Sequence, residues 1–536
     1  MLSSKITSSS SSIKHITSSS SSFWQSQTMN ATNLKLAMGL VDANYVRQGG
    51  EALKARENVV KKLLSQRSLP DIPWDDVTIE HFLSELAMMD SNNFKDSVGF
   101  GEREGRVFSD LVSRRHYRLG HGIGRSGDVT GIQPKAAGSS LICQLTQALA
   151  LSCIKLAGIT NTKAALVIPV ATGMTIALTL LTLRATRRSE PPQNARYVLW
   201  CRIDQKACFK AIYTAGLIPV VINTIQDGDL VRTNLDELRA KIEELGRDNV
   251  LCVLSTTSCF APRARDDVET IATMCREFDV GHVINNAYGL IDSKCCHSVN
   301  QALRVGRVDA FVQSTDKNLM VPVGGAIVAS GNKKFIAMIG NNYPGRASMS
   351  PLLDVFITLL SMGREGWLQK LRDRSANVPL LVVALEEVAA KHGERVLSTK
   401  KGNNISFAVT CNTIENPTEL GSWLFKRNVS GSRVVAPGAT KKIEETEFVD
   451  WGSSTLGYPS SYITFASSMG LRSEEIQVLC VKLDAAFTHF AKMKVSEEGV
   501  RMKKKVGTAE GTGGAGGARG AGGAGEEKKQ DKTATK

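Results

Sequence analysis

The chain has 536 residues, 42% of them hydrophobic, enough for a large core and for two packed lobes, which excludes a sequence too polar to fold. Its 66 basic against 52 acidic side chains give a net charge of +14, which favours a polyanionic partner, nucleic acid first, over a basic surface with no specific partner. The 11 cysteines include no CxxC pair and no Cys/His cluster at zinc spacing, since Cys295, Cys296 and His297 are adjacent; this argues against a metal site and for buried thiols in a reducing compartment.

In chain order, residues 1–37 open as a serine-rich extension in which ITSSSSS occurs twice, from Ile6 and from Ile16. With no acidic residue before Asp42, it reads as an organelle transit peptide or as a disordered extension ahead of an internal start at Met29. Residues 38–160 form a helical, phosphate-binding segment. Within it Glu51–Gln66 carries Leu53, Val59, Val60, Leu63 and Leu64 beside Lys54, Arg56, Lys61 and Lys62. That is a basic solvated face or a helix contacting RNA or another subunit.

The next segment, 161–342, is the expected catalytic domain. Ala164–Leu183 is uncharged over a membrane-spanning length, yet Pro169, Gly173 and four threonines divide it into a strand (Ala164–Val170), a tight turn and a helix. We read it as buried core rather than as a membrane span. Its ATGMT turn, Ala171–Thr175, sets backbone amides at a helix N-terminus, as a phosphate-bearing cofactor requires; a purely structural turn is the competing reading. Strands and helices then alternate. Tyr197–Arg202, Ile218–Ile225, Val250–Thr256 and His282–Asn286 are strand candidates, and Thr233–Leu245 and Asp267–Phe278 are helical, the pattern of a mostly parallel sheet covered on both faces.

Polar side chains close the last of these strands in INNAYG, Ile284–Gly289. Downstream, Lys317 follows a strand ending near Ser314 and precedes an apolar stretch opening at Gly324 and Gly325. An enzyme can place a Schiff-base amine there, although a solvated lysine has the same local pattern. After Tyr343 helices and mixed strands suggest a smaller C-terminal α+β lobe over 343–497. A tail over 498–536, rich in glycine and alanine from about Val506, is too poor in apolar residues to bury a core and is expected to be disordered.

The order of strand, ATGM turn, NNAYG and STDK resembles the fold-type I pyridoxal-phosphate enzymes, an α/β class. More narrowly, RRHYR (Arg114–Arg118), HGIGRSGD (His121–Asp128), QPKAAGSS (Gln133–Ser140) and STTSCFAPR (Ser255–Arg263) resemble segments of the O-phosphoseryl-tRNA(Sec) selenium transferases, over about Met38 to Lys492. The resemblance implies that Lys317 forms the Schiff base with pyridoxal 5'-phosphate. It implies that Arg103, Thr172, Gly173, Met174, Gln205 and Asn285 also hold the cofactor. Asn285 departs from the aspartate usual in this fold; a neutral amide stabilises a protonated ring poorly, so the electron sink is weaker and suits a substrate with a good leaving group.

Phosphoserine is such a substrate, and the resemblance assigns Arg125, Ser126, Gln133 and Arg346 to it, with guanidinium forks matched to phosphate. Arg304, Arg433 and Lys492 match RNA-contacting positions, while SQRS, Ser65–Ser68, is less lysine-rich than the family pattern. The implied reaction is β-elimination of phosphate from phosphoseryl-tRNA(Sec), then addition of selenium from selenophosphate, in a cytoplasmic homotetramer with sites at subunit interfaces. His116 is left with two roles, proton donor or orienting group. A pyridoxal enzyme acting on a free amino acid and a non-catalytic tRNA-binding scaffold are the alternatives.

Overall fold

The computed structural model describes residues 28–188, 195–397 and 402–509, with side chains as far as Lys494. The expected serine-rich extension over 1–27 and the tail from 510 onward lie outside the described residues. Two edges of those expectations are corrected. Residues Ala31–Ala37 form a helix because Asn30 caps it, its side chain accepting from the amides of Thr32 and Asn33. Residues 498–509 belong to the helix Ser473–Ala509, where the run RMKKKV is rich in helix formers.

Fourteen strands occur among the described residues: β1 (Ala164–Ile168), β2 (Tyr197–Cys201), β3 (Ile218–Ile222), β4 (Thr224–Asp227), β5 (Leu230–Thr233), β6 (Val250–Thr256), β7 (Gly281–Asn285), β8 (Ala310–Ser314), β9 (Ala326–Ser330), β10 (Ser406–Thr410), β11 (Arg433–Val435), β12 (Lys441–Ile443), β13 (Thr446–Phe448) and β14 (Tyr462–Ala466). Seven of them build the central sheet, in the order β1-β9-β8-β7-β6-β2-β3. The pairs from β8 to β3 are parallel, as expected, and β9 alone runs antiparallel to both its neighbours. Every residue of β6, β7 and β8 is buried because helices cover both faces, and the polar residues they carry, such as His282, Asn285 and Gln313, are buried with the apolar ones. Pro219 sits in the edge strand β3, where a missing donor costs no ladder bond on the open side.

The uncharged stretch divides as its composition suggests, into β1 and the helix Thr172–Arg188. The hydroxyls of Thr179 and Thr182 are buried but satisfied, donating to the carbonyls of Thr175 (2.7 Å) and Leu178 (2.9 Å) one turn back. Among the described residues one helix, Ala137–Leu156, has the length and apolarity to cross a membrane. Its Ile142, Leu149 and Ile154 are buried in the main core, so it is a core helix.

Two N-terminal helices, Ala43–Gln66 and Asp76–Met88, start at the caps Asp42 and Asp75. They send Leu63, Phe82 and Leu86 into the core shared with Leu166, Ile284 and Phe311 of the sheet. The 42-residue helical run Ser350–Lys391 breaks at Gly363, whose φ of 56° no bulky residue adopts cheaply. A Cβ there would lie 2.9 Å from Pro73 N, so the close approach also requires glycine. The run links the main core, through Phe356 and Trp367, to a second core of Leu385, Phe407, Ile463 and Phe487. That second core lies under the antiparallel sheet β10-β14-β11. Buried Arg374 ties the two together, its Nε donating to the Ser467 carbonyl at 3.0 Å and its Nη1 to Asp292 at 3.3 Å.

Candidate active site

Lys317 lies on the five-residue helix Thr315–Leu319, which begins directly after β8, and its side chain is exposed. Buried neighbours hold that helix still. The Thr315 hydroxyl donates to the Gly325 carbonyl at 2.8 Å, fastening it to the turn before β9. A Cβ on Gly325 would stand 2.9 Å from that hydroxyl and 3.2 Å from Pro351, so this turn requires glycine. Asn318 Nδ2 donates to the carbonyls of Ser314 (2.7 Å) and Ala287 (2.8 Å), reaching the loop after Asn285.

Asn285 ends β7 and is 3% exposed. Its Oδ1 accepts from the Ala287 amide at 3.2 Å, which leaves Nδ2 as its outward donor. Behind it, the Thr257 hydroxyl donates to Asn286 Oδ1 at 2.5 Å, and Asn286 Nδ2 to Gln313 Oε1 at 3.3 Å. This buried polar layer under the site was not anticipated, although Thr257 falls within the STTSCFAPR segment.

The ATGM turn fits a cofactor phosphate on three observations. The first intrahelical bond runs from the Thr175 amide to the Ala171 carbonyl, so the amides of Thr172, Gly173 and Met174 have no acceptor within their helix. Thr172 Oγ1 is buried and has no partner. Gly173 faces the start of the next helix so closely that a Cβ would meet the Ala207 carbonyl at 3.2 Å, which brings Gln205, the cap of helix Lys206–Thr214, beside the turn. With Lys317 and Asn285, these residues match the amine, ring and phosphate needs of pyridoxal 5'-phosphate.

A second group forms around Arg346. Residues 123 and 347 pair through two backbone bonds, Ile123 N to Ala347 O at 3.0 Å and the reverse at 3.1 Å, which sets the HGIGRSGD segment alongside Arg346. In that segment Arg125 and Asp128 close a tight turn with Ser126 (φ 38°) and Gly127 (φ 85°) at its tip. Arg346 donates to the His121 carbonyl, and its Nε is buried without a partner. Burial and the charge of nearby Arg103 hold its pKa below the usual arginine range, an electropositive spot suited to an anion. In the next segment the backbone amide of Gln133 donates to Ser140 Oγ at 3.1 Å. Arg125 and Ser126 are exposed.

Among the described residues no hydrogen bond or ion pair joins this anion group to Lys317. The link is indirect: Pro351 packs on Gly325, and Ser350 Oγ is 3.2 Å from His116 Nδ1 in the RRHYR segment. His116 Nε2 is 3.2 Å from Arg115 Nη2.

The three RNA candidates differ in setting. Arg304 is exposed in the last turn of helix Ser293–Val305, bonded to Gln301 at 2.7 Å. Lys492 is exposed on the C-terminal helix. Arg433 is half-buried on β11 with its guanidinium 5.1 Å from the centre of the Phe260 ring. Phe260 in turn lies 6.1 Å from the ring of Tyr288, the tyrosine of NNAYG.

All eleven cysteines are free, and ten are buried. Burial pushes the Cys259 thiol, near this cluster, up to about 12. Among the described residues no group of three His, Cys, Asp or Glu is arranged to hold a metal.

A family model described as O-phosphoseryl-tRNA(Sec) selenium transferase, SepSecS, matches residues 89–488. The O-phosphoseryl-tRNA(Sec) selenium transferase of Dictyostelium discoideum is 48% identical over 480 residues, covering 86% of this chain and 99% of its own. The Caenorhabditis elegans protein of that name is 38% identical over 465 residues, covering 85% and 95%. The crystal structure of an archaeal protein of the same name aligns with a TM-score of 0.77 at 31% identity, over 83% of this chain and 98% of that one.

Proposed function

The chain belongs to the O-phosphoseryl-tRNA(Sec) selenium transferase family, and we propose that it carries out that reaction with Lys317 as the central amine and pyridoxal 5'-phosphate as cofactor. It is a transferase that converts O-phosphoseryl-tRNA(Sec) to selenocysteinyl-tRNA(Sec). The observation that carries our residue assignments is the exposed Lys317 on a helix pinned at both ends, with the donor-rich ATGM turn and Asn285 at the ends of neighbouring elements.

When bound, pyridoxal 5'-phosphate supplies the electron sink that makes the substrate α-proton acidic. Thr172, Gly173, Met174, Gln205 and Arg103 hold its phosphate end in this reading. Asn285 offers Nδ2 to the ring nitrogen, a donor that favours the unprotonated ring. Lys317 would hold the group through its amine, and that amine is also the base for the substrate α-proton. Arg346, Arg125, Ser126 and Gln133 bind the phosphoserine phosphate and stabilise it as it leaves the β-carbon, giving dehydroalanyl-tRNA. Selenium of selenophosphate then adds at that carbon while the α-carbon takes back a proton, and water cleaves the Se–P bond, releasing the donor's phosphate and leaving the selenol of selenocysteinyl-tRNA(Sec). His116, beside Ser350, orients the helix start next to the Lys317 turn.

We further assign the RNA to Arg304, Arg433 and Lys492, in keeping with the net charge of +14. A homotetramer is supported by apolar side chains beside Arg103: Val98, Phe100, Phe108 and Leu111 are 76%, 97%, 106% and 69% exposed, a surface that another subunit would cover. The reading sets the enzyme in the cytoplasm, consistent with its free thiols. Release of inorganic phosphate from phosphoseryl-tRNA(Sec), without selenophosphate, tests the elimination half. Wild type should release one phosphate per site and Lys317→Ala none; release by the variant at the wild-type rate would refute the assignment.

A further inference from the structure

The guanidinium of Arg433 lies over the Phe260 ring, 5.1 Å from its centre, and is bounded on another side by the Gly452 backbone, where a Cβ would stand 3.3 Å from Nη2. Among the described residues it forms no ion pair and donates no side-chain hydrogen bond. A half-buried arginine whose guanidinium bonds no other described side chain and lies against an aromatic ring is prepared for a planar or anionic partner. Phe260 also faces inward. Its ring neighbours Tyr288, and the adjacent Ala287 carbonyl accepts from Ser314 N (2.9 Å) and Asn318 Nδ2 (2.8 Å), the groups that fix the Lys317 helix.

We propose that Phe260 is a positioning residue: its ring presents the Arg433 guanidinium to the RNA. This rests on the assignment of Arg433 to RNA made above. Phe260 touches no reacting atom. Its effect runs through Arg433, so truncating the ring should act only where Arg433 acts.

The test uses cofactor-loaded full-length protein and fluorescently labelled, uncharged tRNA(Sec), with Phe260→Leu, Phe260→Tyr, Arg433→Gln and the double variant Phe260→Leu/Arg433→Gln. Arg433→Gln should weaken binding and flatten the dependence of log Kd on log salt by about one unit. Phe260→Leu should weaken binding about twofold to fivefold, the scale of a cation–π contact, with an unchanged cofactor spectrum. Phe260→Tyr, which keeps a ring, should bind as wild type, and the double variant no more weakly than Arg433→Gln. In turnover Phe260→Leu should raise KM for phosphoseryl-tRNA(Sec) more than it lowers kcat. If Arg433→Gln binds normally, the RNA assignment itself fails. If it binds weakly while Phe260→Leu binds normally, or the two losses add, the platform is overturned and the assignment stands. If Phe260→Leu does not fold, Phe260→Met takes its place, with the same results deciding.

Discussion

Asn318 clasps the carbonyl of Ala287 at 2.8 Å, so the residue after Lys317 is tied to the second residue after Asn285. The same amide nitrogen donates to Ser314 at 2.7 Å, and Asn318 is fully buried. Replacing Asn318 by alanine removes both bonds from buried carbonyls. The expected cost is about 1–3 kcal/mol of stability. Because the helix loosens at its catalytic end, kcat should fall by about tenfold, the sensitivity expected of a displaced catalytic group. Thermal unfolding and steady-state kinetics of Asn318→Ala measure the two effects.

Arg346 reaches the anion group with one end on the His121 carbonyl and a buried, unpartnered Nε. Lysine at this position keeps the charge and loses the fork. Arg346→Lys should raise KM for phosphoseryl-tRNA(Sec) about tenfold to a hundredfold, the scale of one charge-assisted hydrogen bond. Its kcat should fall as well, since the same fork stabilises the charge that builds on the phosphate as it leaves. Initial-rate kinetics on the charged tRNA give the comparison.

His282 is fully buried, its Nε2 2.8 Å from Ser255 Oγ and its Nδ1 3.2 Å from the Arg307 carbonyl. Burial lowers its pKa from 6.5 to about 4. Between those values the unfolded chain binds a proton that the folded chain does not, so stability falls as pH drops through this window and loses nothing more below it. The loss from this group is about 3 kcal/mol across the window. Urea denaturation at pH 7 and near pH 4.5 should show it in wild type, and His282→Gln should show a shallower decline.

Arg263, the last residue of STTSCFAPR, is fully buried with Nη2 2.7 Å from Asp266 and 2.6 Å from Thr233 Oγ1, and Nε 3.0 Å from the Arg202 carbonyl. Removing its counter-charge strands a cation in the core. Asp266→Ala should destabilise the fold by about 3–5 kcal/mol, read by chemical denaturation.

Much of the central sheet was legible because buried strands read as short, mainly apolar stretches separated by amphipathic helices. The reversal of β9 was not, since AIVAS is buried throughout and its burial pattern carries no direction. The ATGM turn and Lys317 could be read from local order, because glycine, strand end and helix start are sequence-local. Asn286, Gln313 and Phe260 act through partners more than 25 residues away, and no spacing rule reaches that far. Likewise, the match of Arg433 to an RNA-contacting position carried no sign of the ring beneath it.

The central claim, that Lys317 is the amine on which the chemistry turns, is tested most directly by the visible spectrum of the purified protein before and after phosphoseryl-tRNA(Sec), beside Lys317→Ala. We predict a cofactor band in wild type that the charged tRNA perturbs as phosphate is released, and its loss in the variant. An unchanged band in Lys317→Ala, or a wild-type band that responds only to free amino acids, would contradict it.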